Sequence, residues 1–508
     1  MTPTRRAFLT ATTALALAWA GRSFASDQPA TPFSRDTVID MARELASREF
    51  RPRDLVPQAW QDLSYEQYRA IWFRPTAALW AESDRPYAVD FFAPGLYFKR
   101  PVRIDEVVDG QARILPFQLD AFDRSDRFPD IPVGEDLGFS GFRLRTEMTE
   151  PGKKNEFCVF QGASYFRSIG YGQIYGQSAR GLAINTAEPE GEEFPDFIHF
   201  WLEAPAPGQR NMIVHALMDS PSLSGAYRFD IRPGPSCVMD VEAVIFTREQ
   251  VNNIGLGALT SMFLFDSADR TRFDDFRPAV HDTDGLMVWN GAGEALWRPL
   301  ANPRRLQVSS FVDHMPRGFG LMQRARELAD FDDFEAKYHR RPGTWIEPKG
   351  DWGPGSVTLV EIPADKEIYD NIVAYWRPRD GVPAGERTEF AYRLTWGEAA
   401  PVDTGVAQVM NTSTGKAHAW SEHENGRIVA IEFDDHPMLA DPLDDLSPRV
   451  SSGQAVTTDG VIERNPDTGA VRLVFQFDPG EAPEVELRAQ IRRGDSAATE
   501  VWLYRWTA

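Results

Sequence analysis

The spacing Asp282-Thr283-Asp284-Gly285 puts two carboxylates on one short turn, the arrangement that opens a calcium-binding loop. A complete loop of that kind needs a third acidic or amide ligand before the glycine and a glutamate at the twelfth position, which here is Gly293. The segment therefore reads as a turn bearing two acids. The histidines, His215, His281, His314 and His339 among them, are scattered without metal-ligand spacing, so neither a metal nor a cofactor is expected. Gly255-Leu256-Gly257 lacks the third glycine and following helix of a dinucleotide site. There is no Gly-x-Ser-x-Gly elbow, phosphate-binding loop or His-Glu-x-x-His pair. Carboxylate chemistry remains, but with 75 acids in the chain spacing alone selects no catalytic pair, and any one aspartate serves as readily as a turn former.

Elements that could position such residues are mostly strands. On Cys237 to Phe246, the residues Met239, Val241, Ala243 and Ile245 fall on one face with Asp240 and Glu242 on the other, and Val471, Leu473, Phe475 and Phe477 repeat that alternation. Helical spacing is clear mainly at Val38, Met41, Ala42 and Leu45, after a start signal at Ser34 and Asp36. The expected class is all-β. A chain of this length exceeds a usual single core, so two sandwiches are expected: a large one over residues 26–397 and a small immunoglobulin-like one over 405–508. The turn-rich stretch from Gly397 to Gly405 supplies the division. Strands are expected at Arg427 to Phe433, Ala470 to Asp478, Val485 to Ile491 and Glu500 to Trp506.

Residues 1–25 read as a Tat signal peptide: Arg5-Arg6-Ala7-Phe8-Leu9, a short apolar run from Ala11 to Ala20, and small residues at Ser23-Phe24-Ala25. The run is about half of the roughly 20 residues a membrane span needs, so no stable membrane insertion is expected after cleavage, and the periplasm is the expected compartment. Loss of its three arginines takes the net charge from −21 to −24, which disfavours nucleic acid as a partner. An acidic surface suits a neutral polyhydroxylated ligand held by carboxylates, amides and aromatic faces. Most of the 14 Trp, 13 Tyr and 33 Phe nonetheless read as core. Cys158 and Cys237 each sit in an apolar strand-like run and read as unpaired core thiols, although an oxidising compartment permits a bridge.

Longer stretches carry a resemblance: Gly162-Ala163-Ser164-Tyr165-Phe166-Arg167, Tyr175 to Ala183, Leu259-Thr260-Ser261-Met262-Phe263-Leu264-Phe265, Trp297-Arg298-Pro299-Leu300, Pro348 to Gly353 and Asp370-Asn371-Ile372-Val373-Ala374-Tyr375-Trp376. They resemble the OpgG/OpgD (MdoG) family of osmoregulated periplasmic glucan biosynthesis proteins over nearly the whole mature chain, and the Tat-type leader is similar to that of the OpgD branch. The resemblance implies a galactose mutarotase-like β-sandwich with a long cleft, an immunoglobulin-like C-terminal domain, and a β-1,2-glucan or oligosaccharide as ligand. It also implies similarity to inverting glycoside hydrolases, with Asp370 as general acid and Asp282 as base. Partial burial of Asp370 at the mouth of an apolar strand would keep it protonated. Arg180, Tyr165, Trp297, Arg298 and Trp352 are the substrate-binding candidates, each of which could equally pack within a sheet. Glu193 and Glu361 read as structural acids. Three functions stay open: an endo-β-1,2-glucanase, a transglycosylase or cyclase, and a non-catalytic glucan-binding protein. A homodimer is compatible with each.

Overall fold

The computed structural model describes residues 29–123, 128–131, 137–417 and 426–508, so the expected signal peptide lies outside the described residues. Alternation in the sequence becomes pleated sheet. In the Cys237–Thr247 strand, Met239, Val241 and Ile245 are fully buried, while Asp240 and Glu242 point away from the core. Two large sheets face one another among the described residues. The first, of 16 strands, runs from Thr31–Pro32 through the Met212–Asp219, Leu223–Arg232 and Cys237–Thr247 meander to Leu446–Ser452. The second, of ten strands, places Gln307–Asp313 at one edge and Tyr87–Phe92 at the other. The protein is an all-β sandwich.

Aromatic side chains glue the faces together. Phe160 and Phe166 on the ten-stranded sheet meet Phe229 on the larger sheet edge-to-face at 5.1 and 5.2 Å, and Phe142 meets Phe200 at 5.1 Å. The one long helix among the described residues, Arg35–Ala46, lies across the outer face of the larger sheet on Val38, Ile39 and Ala42, against Trp201, Leu217 and Val244. Its Ser34 N-cap and Thr37 exchange capping bonds, as the start signal implied.

The C-terminal residues build a separate five-stranded sheet from Val409–Lys416, Arg427–Phe433, Val471–Asp478 and the short Val456–Thr457 and Val461–Arg464 strands. Their core of Val429, Ile431, Leu473 and Phe475 continues into Met287, Trp297, Met322 and Trp345 of the preceding region. Hydrogen bonding is continuous too. The Val501–Thr507 strand lies inside the 16-stranded sheet, parallel to Ala295–Pro299, pairing Leu296 with Val501 and Trp297 with Trp502.

Candidate functional site

The open face of the ten-stranded sheet carries the site. On the Tyr165–Ser168 strand, Phe166 and Ser168 turn into the core and Tyr165 and Arg167 turn out, because successive residues alternate faces. Asp370 lies two residues before the Ile372–Pro378 strand, and its Oδ2 lies 3.8 Å from the Arg167 guanidinium. Together with Phe98, Glu156 and Tyr175 these groups line a pocket of about 550 Å³. A second pocket of about 220 Å³ shares Phe98, Gln161, Gly162 and Tyr165 with the first and extends it toward Tyr97, Arg53 and Asp196. The result is an elongated groove with a carboxylate at one end and aromatic rings along it.

Asp282 follows the Val280–His281 strand and is buried against Arg341, whose guanidinium donates to Oδ1. Burial pushes its carboxyl above the usual carboxylate range, Arg341 opposes that, and the charge of Asp370 adds to the rise. The two carboxylates thus share one electrostatic field.

A single stretch of backbone holds both. The Asp282 amide donates to the Met262 carbonyl at 2.8 Å, and the Asn371 amide donates to the Ser261 carbonyl at 3.0 Å. The Ser261 hydroxyl meets that of Thr283 at 2.8 Å. Ser261, Met262 and Phe263 therefore anchor Asp282 and the residues that follow each acid, Thr283 and Asn371. Upstream, the Ile254–Ser261 strand bulges against Ile372–Pro378 between Leu256 and Leu259, where Gly257 takes the left-handed φ of +59° that the bulge requires. Gly255-Leu256-Gly257 is accordingly part of a sheet irregularity.

Placement of the other candidates divides them. Arg180 sits behind Tyr165, its guanidinium 5.0 Å from the ring centroid, with Nε donating to Thr260 Oγ1 at 2.7 Å and Nη1 to Glu192 at 2.5 Å. It is buried, so it braces the groove wall. The structure does not bring Trp297, Arg298 and Trp352 to the groove. Trp297 is packed in the C-terminal core, Arg298 pairs with the fully buried Glu361 at 3.2 Å, and Trp352 donates to the Ala391 carbonyl at 3.2 Å beside Phe390 and Tyr392. Glu193 accepts the amide and hydroxyl of Ser222 at 3.1 and 2.7 Å. The Asp370 side chain is 37% exposed and lines the open pocket, whereas Asp282 is buried. Asp284 Oδ2 accepts two backbone amides, those of Arg324 and Ala325.

Arg167, Arg341 and Asn371 escape a reading based on spacing. Arg167 had a signal, since it lies two residues beyond Tyr165 on the same strand face. Arg341 had none, because its pairing with Asp282 crosses 59 positions.

The family described as periplasmic glucan biosynthesis protein, MdoG, matches residues 33–506. Glucans biosynthesis protein G of Vibrio cholerae serotype O1 is 44% identical over 476 residues, covering 94% of this chain and 87% of that relative. Its counterpart from Shewanella frigidimarina is 44% identical over 478 residues, covering 94% and 85%. Likeness at that level over almost the full chain exceeds what a shared fold would produce, and the chain belongs to the MdoG family of periplasmic glucan biosynthesis proteins.

Proposed function

We propose that this protein is an inverting endo-β-1,2-glucanase that trims the glucan backbone in the periplasm. The observation that carries the reading is the pair Asp370 and Asp282, anchored through Ser261–Phe263 beside an aromatic groove. Inversion needs one carboxylic acid to protonate the leaving oxygen and one carboxylate to activate water on the opposite face. Asp370 is the group a glycosidic oxygen can touch, since it stands in the open pocket. Asp282 lies too deep to touch a sugar ring; burial holds its carboxyl above the ordinary range while Arg341 works toward the ionised form, and as a base it would reach the attacking water indirectly. Tyr165, backed by Arg180, supplies a flat face for a glucose unit. The same acid could serve a transglycosylase if water were kept from the acceptor side.

Incubation of the purified protein with linear β-1,2-glucan tests this. Short linear oligomers of inverted anomeric configuration are expected. Cyclic products would make it a transglycosylase, and binding without turnover would remove the enzymatic reading.

A further inference from the structure

Asp282 shares its turn with Asp284, and Asp284 is held from outside the groove. Its Oδ2 accepts the amides of Arg324 at 2.9 Å and Ala325 at 3.0 Å, while its own amide donates to the Met322 carbonyl at 2.9 Å. The Arg324 side chain runs the opposite way, into the C-terminal region. Nη1 and Nη2 each lie 2.7 Å from a different oxygen of Glu500, a bidentate pair, and Nη1 also donates to the Val409 carbonyl. The Arg324 guanidinium sits 3.6 Å from the centroid of the Trp297 ring. Glu500 is fully buried and accepts the Val409 amide at 2.8 Å. Beneath the turn, Trp297 closes on Gly285 so tightly that an added Cβ would lie 2.1 Å from the indole.

One arginine thus joins two things: its backbone fixes the turn that carries Asp282, and its side chain is fixed by strands far along the chain. A plain structural ion pair would need only the second. Here the amides of Arg324 and its neighbour are the donors that hold Asp284, so the residue whose side chain is clamped by Glu500 is also the one whose backbone holds the turn. Displacement of a reacting group by about 1 Å costs about a hundredfold in rate, which makes this turn a sensitive place to anchor.

We propose that Arg324 is a positioning residue for Asp282, and that the C-terminal strands, acting through Glu500, set how that carboxyl faces the groove. The inference rests on the glucanase reading for its catalytic consequence, though its structural part can be measured without turnover.

The test uses the full chain in two forms, Glu500→Gln and the double variant Arg324→Met/Glu500→Leu. The second removes both charges together and leaves no unpaired buried ion, although the Val409 amide and carbonyl lose their side-chain partners; far-UV circular dichroism identifies the folded variants before kinetics and exchange are read. Expected for either folded variant is a fall in kcat on linear β-1,2-glucan of about tenfold or more with KM within about twofold of wild type. Amide exchange read by mass spectrometry should rise in peptides covering residues 281–286 and 322–326 and stay unchanged in the Met212–Asp219 strand. Wild-type kcat in a folded double variant overturns the proposal while leaving the glucanase reading intact. So does unchanged exchange in both peptides, and that result counts even if the wild-type protein proves to have no turnover.

Discussion

Asn371 and Phe263 hold one another through two hydrogen bonds: the Phe263 amide donates to Asn371 Oδ1 at 2.8 Å, and Asn371 Nδ2 donates to the Phe263 carbonyl at 2.9 Å. Nδ2 also reaches the Ile362 carbonyl at 3.1 Å, so the residue beside Asp370 is locked to two neighbouring segments. Asn371→Ala would leave buried backbone groups without partners. We expect a loss of about 3 kcal/mol in stability, read from urea unfolding, given about 1–3 kcal/mol per orphaned group. A variant within about 0.5 kcal/mol of wild type would mean that the locking is unimportant.

Asp370→Asn keeps size and hydrogen-bonding shape but cannot deliver a proton. Turnover should fall by about a hundredfold or more with glucan binding retained by calorimetry. Asp282→Asn should do likewise, and azide should rescue only the variant that has lost the base. Near-full activity in both would dispose of the proposed pair.

The charge state of Asp266 gives a pH-dependent prediction. Burial, opposed by the Ala268 amide and reinforced by Asp284 and Asp269, pushes its carboxyl up to about 8. The unfolded chain then releases this proton near the ordinary value of 3.8 while the folded chain keeps it, so the folded state binds more protons between those limits. The contribution to stability falls as pH rises from about 4 toward about 8 and is level outside that window. Asp266→Asn should flatten this slope and raise Tm more at pH 8 than at pH 5. An equal change at both pH values would show that Asp266 ionises alike in both states.

Cys158 and Cys237 are both buried and free, and burial raises both thiols, that of Cys237 to about 12. Neither should react with a disulfide reagent in the native protein, and both should react after unfolding in guanidinium without reductant. Absence of thiols after unfolding would point to a bridge.

Much of this was written locally in the chain. Met239, Val241, Ala243 and Ile245 declared their strand because a pleat has period two, and Ser34 declared its helix because a cap leaves a side chain at the boundary. The candidate acids were different. Nothing near Asp282 tells that Arg341 folds over it, and nothing near Asp370 distinguishes it from other turn aspartates. Trp297, Arg298 and Trp352 show the converse limit. Their types suit a sugar as well as they suit a core, and only tertiary packing separates the two, since Arg298 needed a buried partner that Glu361 supplies. How far Asp370 is buried was likewise not legible, because adjacency to an apolar strand fixes the neighbours of a turn residue, not the direction of its side chain.

The parallel pairing of Leu296 with Val501 and Trp297 with Trp502 has a consequence for assembly of the chain. An elongating polypeptide can close the Gly285–Trp289/Ala295–Pro299 hairpin early, because its ladder is local. The outer edge of that hairpin then waits for a strand made long afterwards, and in the interval it offers an open row of donors and acceptors to any passing chain. Residues 501 and 502 act as a late stopper on that edge. A variant that loosened them would be expected to show its defect as aggregation during synthesis before any loss of stability in the finished protein.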